Sequence, residues 1–187
     1  MNQHAPLNEE ARSPVEIVVT VPKPYAAALA VKARARMTLG ALVQLIAGAE
    51  RYVILSAPYI QEYESASELL YEALRGALRR GVDVDIVSTQ AGLAAVARRD
   101  LGRRAKGRLR YYRPRANVLD ETRLGSHAKL CVCDGAHAYI GSANLTAPGL
   151  SEHLEIGVLV HGQAAQQVET FWRLVFEEGL LVASEQV

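Results

Sequence analysis

The stretch Gly125-Ser-His-Ala-Lys-Leu-Cys-Val-Cys-Asp-Gly-Ala-His-Ala-Tyr-Ile-Gly-Ser-Ala-Asn144 decides the fold, because it sets polar and ionisable groups into what otherwise reads as two apolar strands. Alternate side chains of an extended strand share a face, so His127 and Lys129 point one way while Ala128, Leu130 and Val132 point the other. Asp134-Gly135 has the chemistry of a tight hairpin turn, and His137 to Ile140 that of the returning strand. The return ends at Gly141-Ser142-Ala143-Asn144, which brings Ser142 and Asn144 back beside the start of the first strand. An imidazole, an ammonium, a hydroxyl and a carboxamide then converge. That set suits a phosphate: Lys129, Asn144 and Ser142 can hold its oxygens while His127 attacks or protonates.

Outward from the hairpin, the chain alternates strand and helix. Val15 to Val21 reads as a β-branched strand stopped by Pro22-Lys-Pro24, and the alanine-rich Tyr25 to Arg36 as a helix with a solvated basic face. A second helix begins at Thr38, with Leu39, Leu42, Val43, Leu45 and Ile46 as its apolar stripe. Tyr52 to Ala57 is a continuous apolar run before Pro58, the pattern of a strand covered on both faces. Ser65-x-x-Glu68 is a capping box for a helix that stops at Gly81; Val82 to Ser88 is the next strand, Ala91 to Leu101 a helix, and Arg108 to Tyr112 a strand. Residues 113–124 form a loop into the hairpin. After Asn144, Leu154 to Val160 returns to the sheet and Gln163 to Glu178 closes with an amphipathic helix. The strand–helix–strand order implies right-handed parallel units.

With 187 residues, the chain is long enough for one well-buried core and too short for two ordinary domains. The expected division is a flexible tail over residues 1–14 and a single domain over 15–187, its core at about 38–180. Half the residues are hydrophobic and 22% charged, ordinary for a globular protein. No run approaches the roughly 18 to 20 apolar residues of a membrane span, and residues 1–12 lack a secretory apolar core, so the expected compartment is the cytoplasm. Cys131 and Cys133, two apart in one strand, lie parallel and would make a badly strained disulfide, which agrees with a reducing environment. They share the face of His127 and Lys129, but His-x3-Cys-x-Cys matches no common zinc pattern, and the cysteines read as small buried apolar residues.

The motif as a whole, His-x-Lys, four residues, Asp, six residues, Gly-Ser-x-Asn, resembles the HKD signature of the phospholipase D superfamily, with His127, Lys129, Asp134, Gly141, Ser142 and Asn144 in place. Glu155, in the run His153-Leu-Glu-Ile-Gly-Val-Leu-Val160, fits the acid that usually follows on the next strand. The resemblance implies an α/β fold, a phospholipase D-like three-layer sandwich with a mixed, mostly parallel sheet and helices on both faces. It further implies His127, Lys129, Asn144, Ser142, Glu155 and Asp134 as the catalytic set, with Glu155 orienting His127 from behind. In such families two motifs meet: one histidine forms a phosphohistidine, the other donates to the leaving oxygen, and neither a metal nor any other cofactor is required. One motif per chain therefore implies a homodimer that completes the site, as in the small bacterial endonucleases of the superfamily.

Charge points to the substrate. Between Arg98 and Arg115 stand nine Lys or Arg and one acid, a local balance of +8 in a chain whose net charge is +1. Within it, Arg103, Arg104, Lys106, Arg108, Arg110, Arg113 and Arg115 interleave with Tyr111 and Tyr112, a composition suited to phosphate contacts and base stacking; the acids Asp120 and Glu121 follow. Nucleic acid, DNA before RNA, is the expected partner, and no membrane anchor is apparent. The chain is also similar to phospholipase D-like proteins that accompany helicases and methyltransferases in anti-phage systems such as DISARM. The expected function is a metal-independent nuclease in phage defence, with possible helicase or other complex partners. A lipid phosphodiesterase and a nucleic-acid-binding subunit with a vestigial site are the alternatives.

Overall fold

The computed structural model describes residues 15–61, 65–115 and 126–184, with side chains in the helix after residue 64 described from Glu68 onward. The expected tail over 1–14, the Ser65 cap side chain, and Asp120 and Glu121 in the loop before the hairpin lie outside the described residues.

Burial alternates along β1 (Val15–Thr20): Val18 and Thr20 are sealed while Val15 and Ile17 are exposed. Helix α1 (Ala26–Ala33) ends where Arg34 turns left-handed at φ 51°, and β2 (Arg36–Met37) then lies parallel to β1. In α2 (Thr38–Gly48) the buried residues are Thr38, Ala41, Leu42 and Ile46, spaced at three and four as one helix face requires. β3 (Tyr52–Ser56) is buried from Val53 through Ser56, as the unbroken apolar run implies. Two crossovers follow through α3 (Ser65–Arg80), β4 (Asp83–Val87), α4 (Gln90–Ala97) and β5 (Leu109–Pro114). Thr89 caps α4 by accepting from the Gly92 N–H. The hairpin is β6 (Leu130–Cys133) and β7 (His137–Gly141), followed by α5 (Ala147–Ser151), β8 (Glu155–His161), α6 (Gln163–Glu177) and β9 (Leu181–Ala183).

All nine strands join one sheet in the order β2-β1-β8-β7-β6-β3-β4-β5-β9. Helices α2 to α5 cover one face, where Leu42, Ile46, Leu70, Leu74, Leu78, Leu93 and Leu150 form the larger core. On the other face α6 sets Trp172 and Ala165 against Ile54, Val87, Val132 and Val160. This is the expected three-layer sandwich, with one correction. Parallel pairing is confined to β1–β2, β3–β4 and β4–β5, and the remaining neighbours run antiparallel, so the sheet is mixed but not mostly parallel. The helical crossovers through α3 and α4 give the parallel pairs β3–β4 and β4–β5, the tight turn between β6 and β7 allows only antiparallel pairing, and β8 returns antiparallel to β7 although α5 lies between them.

Cys131 and Cys133 face the larger core and are sealed from solvent, with their sulfurs 3.8 Å apart. Contact with Cys131, together with burial, pushes the Cys133 thiol well above its ordinary range. Both thiols should therefore react with a chromogenic disulfide reagent only as fast as the sheet opens. A fast, stoichiometric reaction of the native protein at pH 8 would contradict this packing.

Candidate active site

The hairpin delivers its polar groups to one end of the sheet, where β3 finishes and β6 begins. Ser56 pairs with Leu130 in register, and its hydroxyl donates to the Ala128 carbonyl at 3.2 Å, clamping the segment that carries His127 and Lys129. The Gly141 N–H donates to the Lys129 carbonyl, which extends the β6–β7 ladder one step beyond the regular strand. The two side chains point the same way, as strand alternation requires: Lys129 Nζ lies 3.1 Å from Nδ1 and 3.2 Å from Nε2 of His127. A point nearly equidistant from both nitrogens lies off the lone-pair axis of each. The ring is thus held beside the ammonium without either nitrogen being used up.

His127 is exposed, whereas Lys129 is only 7% exposed. Burial pushes the Lys129 ammonium below its usual pKa, and the negative charge of Glu155 offsets part of that push. The ammonium also donates to the His127 carbonyl at 3.1 Å. A compact positive charge is thereby fixed under an open imidazole.

The far arm closes the site. Gly141 and Gly157 face each other across β7 and β8 directly over the Tyr139 ring. A Cβ on Gly157 would sit 2.7 Å from the Ile140 carbonyl and 2.7 Å from the Tyr139 ring, so only glycine lets the strands pass this close. Ser142 follows, its hydroxyl donating to Glu155 and accepting from the Ile156 N–H at 3.1 Å. Asn144 lies in the turn tied by the Leu145–Ile60 bridge, and its side-chain oxygen is buried without a hydrogen-bond partner among the described residues. A buried acceptor in that state is costly unless an incoming donor meets it.

Placement of the sequence candidates is therefore uneven. His127, Lys129, Ser142, Asn144 and Glu155 come to one end of the sheet. Glu155, however, makes no hydrogen bond to His127 among the described residues; it is held by Ser142 and faces His153 Nδ1 at 3.7 Å. His153 was not singled out from the sequence; it sits in the bend between α5 and β8, outside the strand whose alternation would have pointed to it. Asp134 requires a correction. It lies seven residues from His127, about 20 Å along the strand, where its carboxylate accepts from the backbone N–H groups of Glu50, Arg51 and Tyr52 at 2.8 to 2.9 Å. Its work is to anchor the turn.

The basic stretch is divided as well. Arg103, Arg104 and Lys106 precede β5 and lie at the Asp134 end of the sheet, as do Arg108 and Arg110, which fork onto Asp83 and Asp85. Only Arg113 and Arg115, at the end of β5, reach the end that carries His127. A cation near the site is available from those two positions alone within this stretch.

A family model described as cardiolipin synthase, PLD-like domain matches residues 42–175, most of the chain. The chain belongs to the phospholipase D superfamily. This phospholipase D-like domain is 27% identical over 157 residues to the DISARM protein DrmC of Bacillus paralicheniformis, an alignment that covers 83% of the domain and 60% of that relative. The domain thus spans about three fifths of the relative's length. Among solved structures it resembles Nuc, a phospholipase D family member from Salmonella typhimurium, with a TM-score of 0.61, 17% identity, and coverage of 92% of this chain and 99% of that one. NucT from Helicobacter pylori gives a TM-score of 0.61 at 13% identity, covering 91% and 99%. Phosphatidylserine synthase from Haemophilus influenzae gives 0.64 at 12%, covering 92% of this chain and 40% of the other. These likenesses establish the mixed three-layer fold.

Proposed function

We propose that this phospholipase D-like domain, a member of a superfamily of phosphodiester hydrolases, is a metal-independent nuclease that acts on DNA, or RNA, through a phosphohistidine formed at a site shared by two copies of the chain. The observation that carries the reading is the exposed His127 ring held against the buried Lys129 ammonium, beside the Ser142–Glu155 pair and the Asn144 carboxamide, whose buried oxygen has no partner among the described residues. In the first step the neutral imidazole attacks phosphorus, the bond to the leaving oxygen breaks, and that oxygen takes a proton from the second copy's His127. Water then attacks the phosphorus and gives a proton to that second ring, and the phosphorus–nitrogen bond breaks as the new phosphorus–oxygen bond forms, which frees the first histidine. Lys129 and Asn144 neutralise and hold the nonbridging oxygens as charge builds.

The apolar fringe around the site supports the need for a second copy. Leu154 is 79% exposed and Ile156 63%, flanking Glu155, while Ile140 is exposed just before Gly141. A twofold contact across this fringe would bury it and set two imidazoles face to face. The resemblance to Nuc and NucT favours nucleic acid, and the DrmC relative favours a role in a DISARM-type defence system. Lipid is the competing substrate, because the family model is described by a cardiolipin synthase and one solved neighbour is a phosphatidylserine synthase. No described helix is long and apolar enough to cross a membrane.

Labelled single- and double-stranded DNA, RNA, and vesicles of phosphatidylglycerol, each incubated with the protein in EDTA, separate the readings. The expected result is cleavage of nucleic acid that persists in chelator, with no head-group release. Lipid turnover alone, or cleavage abolished by EDTA and restored by a divalent metal, would overturn the proposal.

A further inference from the structure

The end of the sheet remote from His127 carries a second concentration of charge. Asp83 and Asp85 on β4 face Arg108 and Arg110 on the neighbouring strand, all on the α6 side of the sheet. Arg108 binds Asp83 through Nε and Nη2, and Arg110 binds Asp85 through the same two atoms. Arg173 of α6 is held likewise, by Nε and Nη2 on Glu169, and stacks over Tyr52 at 5.1 Å. With Arg51 and Phe176 these residues line a groove of about 300 Å³.

Arg108 remains 74% exposed in spite of its partner. Each of the three forked guanidinium groups spends one edge on a carboxylate, which leaves the donors of Nη1 directed by that anchoring. A guanidinium fixed in this way loses little further entropy when it binds an oxyanion. The floor is neutral: burial first, then the hydrogen bond to Glu169, hold the Tyr52 phenol at about 12. Two residues upstream of Arg108 stands Lys106, and then Arg104 and Arg103, in a loop at the same end of the sheet that the Lys106 N–H and Ala105 fasten to Leu78 and the larger core; all three are exposed and none has a carboxylate partner among the described residues. A tract of cations beside partly exposed aromatic rings fits a phosphodiester chain with bases to stack.

We propose that this groove and the Arg103–Arg104–Lys106 loop at the same end of the sheet hold the backbone of a nucleic-acid strand, as a docking surface separate from the cleavage site. The inference rests on nucleic acid being the substrate and adds where that substrate is gripped. The two ends of the sheet stand about 20 Å apart, so at about 3.4 Å per phosphate along a stacked strand the distance corresponds to roughly six nucleotides. Long substrates feel the surface, and a small diester does not.

The test compares the wild type with the triple variant Arg103→Glu, Arg104→Glu, Lys106→Glu in EDTA. Binding of a labelled 30-nucleotide single strand is read by fluorescence anisotropy across a salt series, and turnover of bis(4-nitrophenyl) phosphate is followed in parallel. The expected result is a Kd raised by about tenfold or more and a salt slope shallower by about 2, from loss of about three phosphate contacts at roughly 0.7 each. Turnover of the small diester is expected to be unchanged. An unchanged Kd and slope would overturn the proposal, as would a small-diester rate that falls together with binding. A second measurement needs no substitution. The lysines are Lys23, Lys32, Lys106 and Lys129, and acetylation of the wild type followed by mass spectrometry should show DNA shielding Lys106 while Lys23 and Lys32 stay reactive. Lys106 shielded by an acidic polypeptide but not by DNA would refute it. Should the wild type cleave neither DNA nor the small diester, the catalytic reading fails while the binding and labelling arms still decide this one.

Discussion

His127→Ala is expected to abolish phosphodiester cleavage, with a loss of about 10³-fold or more, equivalent to about 4 kcal/mol of barrier. Among the described residues the ring is the nucleophile held beside the Lys129 ammonium, and the substitution removes it while leaving the ammonium its bond to the backbone carbonyl of residue 127. Thermal stability should stay within about 0.5 kcal/mol of the wild type, and DNA binding should persist. A variant that keeps a tenth of the wild-type rate would remove His127 from the chemistry. Mixing adds a sharper criterion. If each site needs one imidazole from each of two copies, exchange of equal amounts of wild type and His127→Ala leaves about a quarter of the dimers intact. Activity should then fall with the square of the wild-type fraction, measured after subunit exchange; a linear fall would mean that each chain works alone.

Asp134→Ala is expected to spare the chemistry and cost the fold. The carboxylate accepts from the backbone N–H groups of Glu50, Arg51 and Tyr52, which lead into β3, and the Asp134 carbonyl accepts from Arg51 Nη2 at 2.6 Å. Loss of the side chain orphans three donors at once, a cost of about 2 to 4 kcal/mol, or roughly 5 to 15 °C in Tm for a chain of this size. Asp134→Asn should cost less, because asparagine keeps one acceptor and tolerates the left-handed φ of 57° found here. Burial by itself would raise this carboxyl's pKa, but the N–H donors of Tyr52, Glu50 and Arg51 together outweigh it and hold the pKa below the ordinary value. A carboxylate depressed on folding contributes its stability above the unfolded pKa and loses it as the pH falls through the folded one. The gap in Tm between wild type and Asp134→Ala should therefore be full at pH 7 and narrow only in strong acid, below roughly pH 4. A gap that widens on acidification, or a kcat that falls with the stability, would contradict an anchoring role.

These two residues mark how far the sequence could be read. The hairpin was legible because alternation, Asp-Gly and the Gly-Ser-x-Asn ending all agreed, and the helices were legible where their apolar faces ran long enough to show a period. The three-residue β9 at the sheet edge and the five-residue α5 built around Pro148 were not foreseen, since neither is long enough to show one. The sign of strand pairing was misjudged because the sequence shows where strands and helices lie but not which strand lies beside which: α5 stands between β7 and β8, yet the two pair antiparallel. Asp134 read as part of the site because a motif preserves order along the chain and says nothing of distance: a hairpin carries its turn to the opposite end from its mouth. The basic stretch is divided for the same reason: β5 carries Arg113 toward the end that holds His127, while Asp83 and Asp85 hold Arg108 and Arg110 toward the other.

The place of the histidine-bearing strand has a consequence for how the molecule comes together. β6 sits between β3 and β7, and β8 joins β7 to β1, so residues more than a hundred positions apart in the chain are hydrogen-bonded neighbours. Closing such distant pairs carries an entropic toll before any contact repays it, so refolding is expected on the millisecond-to-second scale rather than in microseconds. During synthesis β3 emerges with one flank bare and waits for the hairpin to fill it. Until then that exposed row of amides and carbonyls is the segment most prone to pair with the wrong chain.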